Sequence, residues 1–294
     1  TETGTLGLDY SWPLTEFQSV RMGIAAQRSD LFTDPNSSSA EALYWVQNNG
    51  NTYTEVQTVG IPPIALTYYG TRFDTFEYSL GWSYDSRNRA LFADRGSRHR
   101  LSASYALPFS DIDFVSFNYD YLQFIPVSKW FTLMFNSEAG YGQALGDTTS
   151  MPPYRRFFAG GPETVRGYRE SRMGPKDSFG NPYGGNIKFT NQLELLLPMP
   201  QKWRNSARFS LFFDIGNVFS TDSVTYVGRD GVTPVDYEFG FDKLKYSTGM
   251  AVQWLAPLGV FRFSYAFPLN AEKSDGVTYA DETEGFQFSI GQAF

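Results

Sequence analysis

Toward the C-terminal end of the chain, apolar side chains recur at every second position. Phe261, Phe263, Tyr265 and Phe267 fall on one side of an extended segment, with Arg262, Ser264 and Ala266 on the other. Residues 245–255 set Tyr246, Thr248, Met250, Val252 and Trp254 against Ser247, Gly249, Ala251 and Gln253. Residues 286–294 set Phe286, Phe288 and Ile290 against Gln287, Ser289 and Gly291, and end on Phe294. A period of two is the pattern of a β-strand with unlike faces. It predicts eleven strands, near 3–14, 16–28, 72–87, 97–108, 111–126, 130–144, 186–198, 206–219, 244–256, 259–269 and 284–294. Soluble strands are usually about 5–6 residues long, whereas a tilted membrane strand needs about 9–11. These segments have the membrane length.

The connections differ in length. Residues 13–16, 107–111, 126–129, 199–205 and 257–259 read as short turns, and 29–71, 88–96, 145–185, 220–243 and 270–283 as long loops. Short turns at one end and long loops at the other is the layout of an outer-membrane barrel. Trp12, Tyr84, Trp130, Trp203 and Trp254 stand near strand ends, where interfacial aromatic girdles sit. Within 29–71, residues 37–47 read as a short capped helix able to lie over the barrel mouth.

Composition narrows the class. Aromatic residues make up 18% of the 294, yet mean hydropathy is -0.34. A helical membrane protein would carry runs of about 18 apolar residues; the nearest stretch here, Leu193–Leu197, is short and stops at Pro198. A barrel shows lipid only every second residue, so its mean hydropathy stays low. The absence of cysteine excludes disulfides and thiolate chemistry and fits an oxidising compartment. A net charge of -7 argues against a nucleic-acid partner. With no signal peptide at its start, the chain reads as a mature protein or a trimmed fragment.

The most specific sequence lies in loop 145–185. Tyr154-Arg-Arg-Phe-Phe-Ala-Gly-Gly-Pro-Glu-Thr-Val-Arg-Gly-Tyr168 resembles the loop-six signature of the BamA family, the central subunit of the outer-membrane β-barrel assembly machine. Val165, Arg166, Gly167 and Tyr168 match its core, and Met173-Gly-Pro-Lys176 follows. The likeness continues through Gly184-Gly-Asn186, Phe213-Asp-Ile-Gly216, Gln253-Trp254 with Pro257-Leu-Gly259, and Phe286-Gln-Phe-Ser-Ile-Gly291, and reaches back to Arg89, Phe92 and Gly96.

The resemblance implies an all-β, antiparallel transmembrane barrel of sixteen strands, preceded by periplasmic POTRA domains, in the outer membrane of a Gram-negative bacterium. Residues 1–294 would then be the C-terminal part of that barrel, eleven strands of sixteen, with the N-terminal strands and the POTRA domains absent. It implies that loop six, residues 145–185, folds into the lumen. An Arg there needs partners, because an unpaired buried charge is expensive. Strand parity supplies them. Leu193, Leu195 and Leu197 face lipid, which turns Glu194 inward; Phe209, Leu211, Phe213 and Ile215 face lipid, which turns Asp214 inward. The matching family positions are the acidic partners of the motif arginine. An Arg166–Glu194–Asp214 cluster is therefore expected to lock the loop, with Gly160, Gly161 and Gly167 allowing tight turns.

The resemblance also implies a job: folding and inserting outer-membrane proteins without ATP. Its partners would be membrane lipids, unfolded barrel clients and accessory lipoproteins, the last mostly through POTRA domains. Phe286, Phe288, Ile290, Gly291 and Phe294 would form the lateral gate and β-signal, where a client strand could add to a weak seam. No cofactor, metal ion or catalytic residue is expected. His99, the sole histidine, starts a strand and reads as interfacial; Asp111, Asp113 and Asp120 are too spread to suggest a metal site. Alternatives are a translocation-and-assembly-module or two-partner secretion barrel, which share the loop motif, or a passive porin or lipid-modifying barrel enzyme. The Gly-Pro-Lys run and Trp254 favour the assembly family.

Overall fold

The computed structural model describes residues 2–59, 64–203, 206–257 and 259–291. One antiparallel sheet dominates. Its main path runs β1 (Glu2–Pro13), β2 (Gln18–Thr33), β4 (Ile64–Asp85), β5 (Gly96–Ala106), β6 (Phe114–Pro126), β7 (Thr132–Ala144), β8 (Ile187–Leu196), β9 (Ala207–Phe219), β12 (Lys245–Ala256), β13 (Gly259–Pro268) and β14 (Phe286–Gly291). These are the eleven strands that the alternation predicts. Beside the path, β3 (Asn51–Val59) pairs with the start of β4, and β10 (Tyr226–Val227) and β11 (Pro234–Val235) make a separate ribbon. Among the described residues β1 and β14 are the free edges of the path.

The faces are inverted relative to a water-soluble sheet. Leu6, Leu8, Met22, Ile24, Leu211, Phe213, Met250, Tyr265, Phe286 and Phe288 are exposed, while Gln192, Glu194, Ser210, Asp214, Ser247, Ser264 and Gln287 are buried. Apolar side chains outward and polar ones inward is the distribution of a barrel wall in lipid. Trp12, Trp130, Trp203 and Trp254 are each at least half exposed and, with Tyr84, all stand at the same end of the sheet. They form one interfacial girdle.

Two strands outrun their predicted limits. β2 continues to Thr33 and β4 begins at Ile64, because pairing persists from Ser29↔Phe73 to Thr33↔Tyr69 after the alternation of apolar residues fades. At about 3.3 Å per residue the 22 residues of β4 span about 70 Å, more than twice a hydrocarbon core of about 30 Å, so the strand stands well clear of the bilayer. The helix forms at Ala40–Asn48 (α1), starting three residues later and ending one residue later than 37–47, with Ser39 Oγ accepting from Ala42 N at the N-cap.

Strand parity also reassigns two connections. In an antiparallel sheet chain direction alternates, so strand count, not loop length, decides which end a connection occupies. Segment 88–96, read as a long loop, lies at the short-turn end; the turn 107–111 lies at the long-loop end. The first consequence matters for the lumen. The 86–95 turn packs inward at the turn end, where Ala93 is buried with Phe124 and Leu196.

Candidate functional site

Loop 145–186 enters the barrel as a narrow hairpin. Bridges at Phe157↔Gly185 and Ala159↔Met173 hold its limbs, and Gly161 N donates to Tyr168 O at 2.9 Å. Gly160, Gly161 and Gly167 adopt φ of +104°, +99° and +88°, conformations open to glycine and strained for other residues. The tip carries Val165 and Tyr168 into an apolar cluster with Ala159, Met173 and Val218.

Arg166 lands on the junction of β8 and β9. There Glu194 stands opposite Phe212, and Asp214 opposite Gln192, one pleat away. The guanidinium lies 3.6 Å from the Phe212 ring centroid. Its Nε and Nη2 donate to the two oxygens of Asp214, each at 2.7 Å, and Nη1 donates to Glu194 Oε1. The Arg166 main-chain N–H adds a bond of 3.0 Å to Asp214 Oδ2. All three side chains are at most 5% exposed. Burial works against the cation, but the two carboxylates outweigh it and hold the Arg166 proton more tightly than usual. The structure thus brings together Arg166, Glu194 and Asp214. Phe212, the floor of the site, escaped the sequence reading, although its even position on β9 turns it inward beside Asp214.

Gly167 and Tyr168 reach the last strand. The Gln287 side chain accepts from Gly167 N at 3.1 Å and donates to Tyr168 O at 2.7 Å, so one side-chain amide closes a two-way bridge to the loop backbone. A Cβ on Gly167 would lie 3.1 Å from Ala266 Cβ and 3.3 Å from Pro268, closer than ordinary contact, on a backbone whose φ already strains any other residue. Glu163 extends the contact through Arg262 on β13 at 2.5 Å and Ser289 on β14 at 3.2 Å. Phe286, Phe288 and Ile290 point the other way, outward and exposed. Gly291 pairs with Val260; Phe294 lies outside the described residues.

The stem is clamped above. Arg169, Arg172 and Lys176 converge on Glu282 at 3.1, 3.2 and 3.4 Å. Burial would raise the Glu282 carboxyl, yet these cations prevail and lower it. A lowered carboxyl contributes stability that is complete above the unfolded value, about 4.3, and lost as pH falls through the folded one. Amide protection over residues 169–176 is expected to hold from pH 7 to about pH 5 and to fall below about pH 4. Hydrogen exchange read by mass spectrometry checks this, and Glu282→Gln should show the low-protection state at every pH.

A second buried guanidinium was not foreseen. Arg156 and Asp222 pair at 3.1 Å with side chains 0% and 5% exposed. Tyr226 Oη and Ser150 Oγ accept from Arg156 at 3.1 and 3.2 Å, and the Tyr183 ring lies 4.5 Å away. The pair fixes the hairpin root to segment 220–225. Helix α1 covers this root: Trp45 Nε1 donates to Ser150 O at 3.1 Å, and Ser178 N to Glu41 Oε2 at 3.0 Å.

His99 sits on the outer face. Its Nδ1 lies 2.8 Å from Tyr119 Oη, among Trp82, Tyr84 and Tyr121. Asp111 accepts from Asp74 N, Asp113 borders Thr148, and Asp120 faces Glu138 across β6 and β7, so the three are not gathered.

Comparison with known proteins follows the same lines. The Omp85 superfamily domain matches residues 1–294. Over its whole length the chain is 33% identical to the outer membrane protein assembly factor BamA of Neisseria meningitidis, and it spans 36% of that protein. It is 26% identical, over 53% of its length, to the sorting assembly machinery 50 kDa subunit of Saccharomyces cerevisiae, of which it spans 31%. In structure it resembles BamA from Haemophilus ducreyi lacking POTRA domains 1–3, with a TM-score of 0.79 and 25% identity over 99% of this chain and 54% of that one.

Proposed function

The chain belongs to the Omp85 superfamily, and from that premise we propose that it is the barrel portion of a factor that folds and inserts other β-barrel proteins. It is an outer-membrane protein of a Gram-negative bacterium. The observation that carries the functional reading is the double attachment of one hairpin tip: Arg166 to Glu194 and Asp214, and Gly167 and Tyr168 to Gln287. A passive pore has no need of such a tether to its last strand. An assembly factor does, because that strand must hold its shape while its edge receives a client strand by β-augmentation.

In the same reading the chain is eleven strands of a sixteen-stranded barrel whose remaining strands and POTRA domains lie in the parent protein. Clients are unfolded barrel proteins, accessory lipoproteins dock mainly on the POTRA domains, and insertion proceeds without ATP. No step needs hydrolytic or redox chemistry. The test is reconstitution of the parent protein in liposomes with an unfolded barrel client. Acceleration of client insertion is expected; a rate equal to that of empty liposomes overturns the reading. His99→Phe is expected to insert clients at the unaltered rate, and loss of insertion in that variant would contradict the reading of this residue as merely interfacial.

A further inference from the structure

Between the hairpin tip and the inward 86–95 turn lies a cavity of about 220 Å³ on the lumen face. Five arginines reach it. Arg87 is held by Asp85, Arg166 by Glu194 and Asp214, and Arg262 by Glu163. Arg98 and Arg208 close no ion pair among the described residues; Asp85, directly opposite Arg98 in register, is engaged by Arg87, and Asp120 stands opposite Arg100.

Arg208 is nonetheless held in place. Arg208 donates to Ala93 O at 2.7 Å and lies 4.8 and 5.8 Å from the Phe92 and Phe124 rings. Arg98 projects inward from β5 with its Nε buried and without an acceptor. Across the cavity the second oxygen of Glu194, Oε2, is buried without a donor. Unmet buried donors and acceptors each cost free energy, so the cavity favours an occupant that meets both kinds.

We propose that this cavity binds a protonated phosphate group. Such a group offers several acceptor oxygens to the guanidinium forks of Arg98 and Arg208 and one P–OH to Glu194 Oε2. Sulfate, chloride and ionised carboxylates lack the donor and leave Glu194 Oε2 unmet. The chemistry is shared by inorganic phosphate and by a phosphomonoester headgroup.

The parent protein in detergent, titrated with inorganic phosphate and followed by calorimetry and by ³¹P line width, tests the assignment. Saturable binding is expected. Sulfate should bind about tenfold more weakly, and Arg98→Gln and Arg208→Gln should each weaken phosphate about tenfold. Arg208→Lys, which keeps the charge but loses the fork, should fall between. Heat-modifiable electrophoretic mobility identifies variants that remain folded, and only those are compared. Absence of saturable phosphate binding overturns the proposal. So does equal binding of sulfate, or undiminished binding by the folded double variant. Phosphatidic acid in mixed micelles separates the sources: displacement of bound phosphate assigns the site to a headgroup, and no displacement assigns it to the free ion.

Discussion

Arg166→Ala is expected to free the hairpin tip and abolish client insertion. The substitution leaves Glu194 and Asp214 facing each other's field, buried and without a cation. Removing one partner of a buried ion pair costs about 3–5 kcal/mol, because the charge left behind has lost both water and its counterion. That is a shift of about two to three and a half orders of magnitude in the docking equilibrium of the loop. The barrel strands keep their ladders, so the protein should remain heat-modifiable. Limited proteolysis within 145–185 and hydrogen exchange over 157–173 should both accelerate. Arg166→Lys keeps one charge but cannot serve two carboxylates as a fork while lying on Phe212, and it should recover only part of the loss. Full client insertion by a folded Arg166→Ala protein would sink the role assigned to this residue.

Gln287→Leu is the second large effect. It keeps a similar volume but strands Gly167 N–H and Tyr168 C=O in a dry interior. An unmet buried polar group costs about 1–3 kcal/mol, and here there are two. Among the described residues the register of β14 against β13 runs from Phe286↔Tyr265 to Gly291↔Val260, and the loop adds to what holds that strand inward. Exchange over 286–291 should rise sharply while 187–196 stays protected; unlike Arg166→Ala, this variant keeps the Arg166 ion pairs, so proteolysis within 145–185 should stay slow. Gln287→Glu preserves the acceptor for Gly167 and loses the donor to Tyr168, so about half of the effect should remain. Unchanged exchange at β14 in Gln287→Leu would mean that the loop and the last strand are energetically independent.

What could be read from the sequence follows the physics of periodicity. A membrane strand must show lipid on one face, so its apolar residues keep step, and all eleven strands of the path declare themselves. The same parity turns Glu194 and Asp214 inward before any contact is seen. Arg166 is different: nothing periodic marks a loop residue, and its place came from resemblance. Parity also turns Gln287 inward, but not toward a partner, since that partner is loop backbone. Arg156 and Asp222 could not be paired from sequence, because both lie in irregular segments with no repeat to relate them. The two misplaced connections are another matter. Counting strand directions from 13–16 onward would have put 88–96 at the turn end; length alone misled.

The tether of the hairpin tip to β14 has a further consequence, for the order in which the molecule is built. Arg166 meets Glu194 only 28 residues on and Asp214 48 residues on, whereas Gly167 meets Gln287 after 120. Closing the longest of these loops costs about 1.3 kcal/mol more than closing the shortest, and its partner strand is translated after the other two. The near contacts therefore form first and hold the tip inside the nascent wall while the final hairpin is still unplaced. β14 then acquires its full set of inward bonds only if the tip is already seated. A chain whose loop has strayed outside presents a loosely held last strand, and would be recognisable as unfinished by its rapid exchange there.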